Sequence, residues 1–238
     1  DMPQVRQHDA AVGTSYQARG NVTSRTDPNG QTLMNYDIGG NVVWSRGPTG
    51  TQGSVSYQSG TNFAAPSALT VGSLMESLAY STFGAPASAT GPNGETASTS
   101  YDSYGRISGM TAATGVSTTY SYSTSAPWTV TATTGQRWAK QTLDGFGRTV
   151  KTETGTGGTT LSVVDTEYDV CACTPTGKVK RTSLPHAPNA TVLWTTNAYD
   201  ALGRTRTVTS SFDSTYKEYV YSDNTVTAYD EERKWKKY

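Results

Sequence analysis

Tyr101-Asp102-Ser103-Tyr104-Gly105-Arg106 decides how the rest of the chain is read, because its pattern, Tyr-Asp-x-x-Gly-Arg, returns along almost the whole sequence. Tyr199-Asp200-Ala201-Leu202-Gly203-Arg204 repeats it closely, Tyr36-Asp37-Ile38-Gly39-Gly40-Asn41 ends in Asn, and Leu143-Asp144-Gly145-Phe146-Gly147-Arg148 loses only the Tyr. Weaker echoes stand at Tyr16 to Asn21, Tyr80 to Gly84, Tyr168-Asp169 and Tyr229-Asp230. The interval is regular: 20 residues from Tyr16 to Tyr36, 21 from Tyr80 to Tyr101, and 42 from Tyr101 to Leu143. A period near 20 is too short for two helices and their turn but suits two strands and two turns.

The motif itself reads as a turn. Asp102 can accept main-chain N–H bonds at its start, and Gly105 can take a positive φ without a Cβ clash, which together specify a type I turn followed by a left-handed residue. Such a turn closes a hairpin. Strands are expected on either side, Thr96 to Tyr101 before it and Arg106 to Thr111 after it, with a second turn at Thr114-Gly115 and a returning strand from Val116 to Tyr122. The same logic gives strands from Asn21 to Thr26 and Gln31 to Tyr36 around Asp27-Pro28-Asn29-Gly30, a turn that Gly91-Pro92-Asn93-Gly94 repeats. A third hairpin runs from Thr149 to Tyr168 over a glycine-rich tip. The punctuation fades between Tyr57 and Tyr80, a degenerate unit in which Pro66 to Val71 is still a strand. Trp128 to Trp138 resembles Thr225 to Trp235 and suggests a second, alternating unit type. The last copy, Tyr229 to Arg233, carries Arg where the turn glycine belongs, so another turn geometry is expected there.

Composition agrees with an all-β chain. Only 34% of the 238 residues are hydrophobic, against 15 Tyr and 24 Gly, so any core is thin and strands are favoured over helices. The expected fold is a run of consecutive antiparallel hairpins in a continuous, spiralling, solenoid-like sheet: residues 1–15 a lead-in, residues 16–238 the array, cut at both ends. Hairpins side by side bury what one alone cannot, and cut edges are expected to pair with adjoining repeats or with other copies. Lys plus Arg equals Asp plus Glu at 19 each, which leaves no net positive field for nucleic acid, and no apolar run suits a signal peptide or membrane insertion.

Chemistry is sparse. Of the two histidines, His8 and His186, the second lies in a Pro-rich loop typical of surface. Cys171, Cys173 and His186 are the residue types that suit zinc, but C-x-x-C spacing and a fourth ligand are missing, so no metal or other cofactor is expected. The recurring acids Asp37, Asp102, Asp144, Asp169, Asp200 and Asp230 have the carboxylates of a glycosidase but sit at the same place in every unit, which marks them as structural. The tryptophans are read as packing on neighbouring hairpins. Tyr104 and Phe146, inside turns, are the aromatics most exposed to a partner, and flat sugar faces pack well on such rings.

The repeated Tyr-Asp-x-x-Gly-Arg with Thr-rich strands and Gly turns resembles the RHS/YD-repeat family of bacterial proteins, over roughly residues 16 to 230. That resemblance implies a long hairpin sheet spiralling into a shell, as part of a large secreted or cell-surface protein that in some members encloses a toxin. It implies a structural, non-enzymatic segment, with carbohydrate or cell-surface binding as the alternative.

Overall fold

In a computed structural model the chain is all-β. The structure describes residues 20–37, 39–171 and 174–238, residues 171 and 175 by their main chain only. The chain divides into two compact units between Ser117 and Thr118.

The first unit is an antiparallel meander. Its strands are β1 (Ser24–Asp27), β2 (Gly30–Tyr36), β3 (Val42–Arg46), β4 (Gln52–Tyr57), β5 (Pro66–Val71), β6 (Leu74–Tyr80), β7 (Pro86–Thr90), β8 (Thr96–Tyr101) and β9 (Ile107–Thr111), each paired with its chain neighbour. The second unit repeats the plan with β10 (Ser117–Tyr122), β11 (Trp128–Thr134), β12 (Arg137–Leu143), β13 (Thr149–Thr156), β14 (Thr159–Cys171), β15 (Thr174–Ser183), β16 (Trp194–Tyr199), β17 (Thr205–Ser210), β18 (Tyr216–Ser222), β19 (Thr225–Tyr229) and β20 (Trp235–Lys237). The hairpin array read from the sequence is the architecture found, and Thr96–Tyr101 and Pro66–Val71 keep their expected ends.

Every even strand up to β16, apart from β10, carries the same irregularity, at its last residue in all but β14, which runs on to Cys171 and slips again between Asp169 and Cys171. The ladder slips by one residue at Asn35/Tyr36, Ser56/Tyr57, Ala79/Tyr80, Ser100/Tyr101, Thr142/Leu143, Glu167/Tyr168 and Ala198/Tyr199. This is a β-bulge, and it leaves Val43, Ser67, Ala87, Ser108, Val150, Lys180 or Arg206 as the unpaired extra residue on the following strand. Tyr57 therefore keeps its place in the period: the stretch after it is a regular unit entered through an irregular connection, a 3-10 turn at Ser59–Thr61 followed by Asn62 and Phe63 at φ 49° and 59°.

Three expectations are corrected. Gly91-Pro92-Asn93-Gly94 is not the turn of Asp27-Pro28-Asn29-Gly30: the former is a wide turn with Gly91 N–H bonded to the Glu95 carbonyl and Gly94 at φ 83°, whereas Asp27 pairs directly with Gly30 across two residues. Trp128 to Trp138 and Thr225 to Trp235 are not one unit type, because Thr134 pairs with Arg137 across Gly135-Gln136 while β19 and β20 are joined by the five-residue Asp230–Lys234 turn. That last turn also has the ordinary geometry, with Asp230 N–H on the Lys234 carbonyl, Arg233 N–H on the Asp230 carbonyl, and Arg233 taking φ 64° itself.

The core is as thin as the composition suggests. Among the described side chains larger than glycine only Val163 and Ser183 are buried, both on β14 and β15 where the 184–193 loop folds over them. Trp128 and Trp235 are exposed, and Trp138 lies against Gly155, where an added Cβ would strike its ring. With so little apolar burial the tie between successive repeats within each unit must come from elsewhere.

Candidate functional site: the Asp–Arg–Tyr ladder

That tie is built at the turns. Asp102 accepts the amides of Tyr104 and Arg106 on one carboxylate oxygen, both at 2.9 Å, and the Arg106 guanidinium on the other through Nε at 2.7 Å and a terminal nitrogen at 2.7 Å. Asp144 does the same with Phe146 and Arg148, and Asp200 takes the amides of Leu202 and Arg204 on one oxygen and Arg204 Nε at 2.7 Å on the other. Asn41 replaces the arginine at Asp37, bonding one oxygen by its amide and the other by Nδ2 at 3.0 Å. Gly105, Gly147 and Gly203 take φ of 76°, 77° and 76°, and Gly40 takes 83°. Hydrogen bonds from the Arg148 side chain hold the Asp144 carboxyl below its ordinary range, and the Arg204 amide does so for Asp200. At Asp102 desolvation pushes upward but is outweighed by the main-chain and side-chain bonds from Arg106.

The tyrosines connect one turn to the next. Tyr101 donates its hydroxyl to the Pro86 carbonyl at 2.7 Å, and Pro86 is the strand partner of Tyr80. Tyr80 donates to Pro66, the partner of Tyr57; Tyr168 to Thr149, the partner of Leu143; Tyr199 to Val179, the partner of Tyr168; and Tyr221 to Thr205, the partner of Tyr199. Burial raises the Tyr199 phenol above its usual range, so it stays a donor. The arginines add a second link in the second unit: Arg148 lies 4.1 Å from the Tyr168 ring centroid and Arg204 4.2 Å from that of Tyr221. Sequence reading found the Asp and Gly roles but gave none to the arginine, and it missed Tyr221, because Ser222-Asp223-Asn224 lacks the turn signature. Tyr229-Asp230, taken as the last copy, lies one strand later.

The third position of each turn points outward. Tyr104 is 82% exposed and Phe146 71%, and the same position holds Phe83 and Leu202, also exposed, which the sequence reading passed over. Arg106 lies 5.0 Å from the Tyr104 ring and Arg148 5.1 Å from the Phe146 ring.

Around Lys180 and His186 the polar groups are engaged with one another. Two open clefts flank Lys180, one reaching Asp144, Glu167 and Trp194, the other Lys178, Asn197 and Tyr199. Glu167 forms a bidentate pair with Arg181 at 2.7 and 2.6 Å, and Lys180 pairs with Asp169 at 3.4 Å. His186 turns Nε2 to Asp165 and Nδ1 to the Ala187 carbonyl, each at 3.0 Å. Cys173 and His8 lie outside the described residues, as does Tyr16, and Cys171 is described only as the strand partner of Thr174. Among the described residues no group of three His, Cys, Asp or Glu is placed to hold a metal ion.

The fold defines a class, the repeated antiparallel hairpin sheet. No protein-family model and no curated protein matches the chain. Among solved structures, the crystal structure of TcdB2-TccC3 has a similar fold, with a TM-score of 0.52 at 15% identity over 88% of this chain and 13% of its own. Structures of TcdB2-TccC3-TEV and TcdB2-TccC3-Cdc42 match 87% and 89% of this chain at 14% and 15% identity, with TM-scores of 0.35 and 0.29. The chain thus spans only 13–15% of the length of these chains. The first likeness is one of fold and is consistent with the RHS-like reading of the repeats.

Proposed function

We propose that this chain is a non-catalytic structural segment of a larger RHS-type β-shell, secreted or displayed at a cell surface, whose wall scaffolds or encloses cargo. The observation that carries this reading is the ladder. Each Asp has its carboxylate oxygens taken up by its own turn, and each linking tyrosine hydroxyl is spent on the strand before it. Groups so used are not available as general acids, bases or nucleophiles, since those need an uncommitted pair set at reacting distance. Stability then comes from repeat-to-repeat links rather than from a core, as in a quasi-one-dimensional array. The test is a hydrolase screen of the purified chain on glycan, ester and peptide substrates together with far-UV circular dichroism. A β-only spectrum with no turnover is expected; turnover abolished by a single substitution would overturn the reading.

A second reading, a carbohydrate or cell-surface binding module, draws on the exposed Tyr104 and Phe146. Rings presented at the tips of rigid turns suit the apolar faces of sugars. A glycan array on which Tyr104→Ala and Phe146→Ala both lose signal would favour it, and an array without hits would remove it.

A further inference from the structure

The carboxylates of the second unit are sorted by face. Cross-strand pairing puts Glu153, Asp165, Glu167, Asp169 and Glu218 on one side of the sheet. Among the described residues, the strand positions of the other face, which carries Tyr168, Tyr199 and Tyr221, hold no carboxylate. Two lysines stand on that face at its β18–β20 end. Tyr219 pairs with Ala228 and Ala228 with Lys236, so these three share a row, and Lys217 lies two residues before Tyr219 on the same side. Ala228 contributes only a methyl group there, and an open hollow of about 290 Å³ lies over it, walled by Tyr219 and Tyr238.

The turn beside this hollow departs from the repeat. At Asp102, Asp144 and Asp200 an arginine closes over the second carboxylate oxygen. Asp230 keeps the main-chain bonds, taking the amides of Glu232 and Lys234 at 3.0 and 2.7 Å, but Lys234 stands at the arginine position and turns its ammonium to Glu232. Lys217 meets Glu231 at 3.4 Å, longer than the roughly 2.7–2.9 Å of a well-made ammonium–carboxylate bond, and the Lys236 ammonium lies 5.1 Å over the Tyr238 ring. The hollow is thus lined by three lysines against one carboxylate, that of Asp230, while the exposed Glu231 and Glu232 engage two of those lysines from the solvent side.

Ammonium groups beside a ring-walled hollow match an anion joined to a flat apolar body. We propose that this hollow binds a tetrahedral oxyanion ester of an aromatic ring, a phosphate or a sulfate. Its oxygens lie between Lys217 and Lys236, and its ring lies over Ala228 against Tyr219 and Tyr238. A tetrahedral anion offers acceptors in several directions and so bonds more than one ammonium at once, which the single loose contact from Glu231 does not. Glu231 is therefore the group that the ligand displaces. The site belongs to a sheet face, so strands pairing with the β20 edge leave it open.

Titration of the full chain with phenyl phosphate and with phenyl sulfate at low ionic strength, followed by two-dimensional NMR, tests this. Saturable shifts are expected at the amides of Tyr219, Ala228 and Lys236 with at least one ester, and none with phenol; the ester that binds more tightly identifies the anion. Lys217→Gln and Lys236→Gln are each expected to weaken binding roughly tenfold, and Glu231→Gln to tighten it about threefold. Lys237 neighbours Lys236 on β20 but pairs with Thr227 on the opposite face. Lys237→Gln is accordingly expected to change the affinity by less than about twofold. No saturable shift with either ester, shifts centred elsewhere, or equal losses in Lys236→Gln and Lys237→Gln would overturn the proposal.

Discussion

Tyr199 donates its hydroxyl to the carbonyl of Val179 at 2.7 Å, and Val179 is the residue that pairs with Tyr168, the tyrosine one repeat earlier. The same relation joins Tyr101 to Pro86 and Tyr80, and Tyr221 to Thr205 and Tyr199. Each tyrosine thus fixes the spot where its predecessor's bulge ends. In a sheet with almost no core, a repeated polar tie of this kind keeps successive turns in register.

Removing one such hydroxyl should be felt. Tyr199→Phe keeps the ring and removes the shorter of two side-chain bonds to the Val179 carbonyl, leaving that from Asn197 Nδ2 at 3.4 Å, for a loss of about 1 kcal/mol, read as a lower urea midpoint in circular dichroism. Tyr104→Phe, at an 82% exposed turn position, is the control and should leave the midpoint unchanged.

The turn glycines separate conformation from packing. Gly147 has φ 77° and Gly145 does not lie in that region, yet a Cβ on either would meet nothing within 4 Å. Gly147→Ala should therefore destabilise by about 1–2 kcal/mol from backbone alone, while Gly145→Ala should be neutral within about 0.5 kcal/mol. Equal effects at the two positions would contradict the turn assignment.

Acid should loosen the ladder. Asp102, Asp144 and Asp200 are held below the ordinary aspartate range in the folded chain, so their contribution is complete above that range and is lost as pH falls through their depressed values. Thermal midpoints are expected to hold from neutrality down to the normal aspartate range and then drop. Asp144→Asn should lower the midpoint near neutrality and flatten the acid drop; an unchanged acid profile would argue that the carboxylate is idle.

Arg204→Lys keeps the charge beside Asp200 but loses the planar group stacked on Tyr221. Its midpoint is expected to fall, whereas Arg206→Lys, at the exposed bulge residue, should not shift it.

Much of this was legible in the sequence because turn chemistry is local. Asp at the first position and Gly at the left-handed one specify the turn wherever they recur, so the hairpins and several strand ends followed directly. The bulge was not legible. It slips the ladder by one residue after Tyr101, so Ile107 to Thr111 breaks the period-two alternation that marks a strand, and its sequence alternates only weakly. The arginine's role was hidden for another reason: its ring partner, Tyr168 for Arg148 and Tyr221 for Arg204, stands a whole repeat away. Tyr221 escaped because the period was read from the Asp-Gly letters rather than from the tyrosine. Arg233 shows that a residue other than glycine can hold the left-handed position when Glu218 and Tyr229 grip its side chain.

The most direct measurement is an electron cryo-microscopy map of the gene product that carries these 238 residues. The structural reading expects residues 20–238 to be seen as part of a hairpin wall around a lumen, with tyrosine ties of the same kind in the adjoining repeats. A map in which this stretch stands as a separate module, its Tyr104 and Phe146 turns carrying bound glycan, would contradict it.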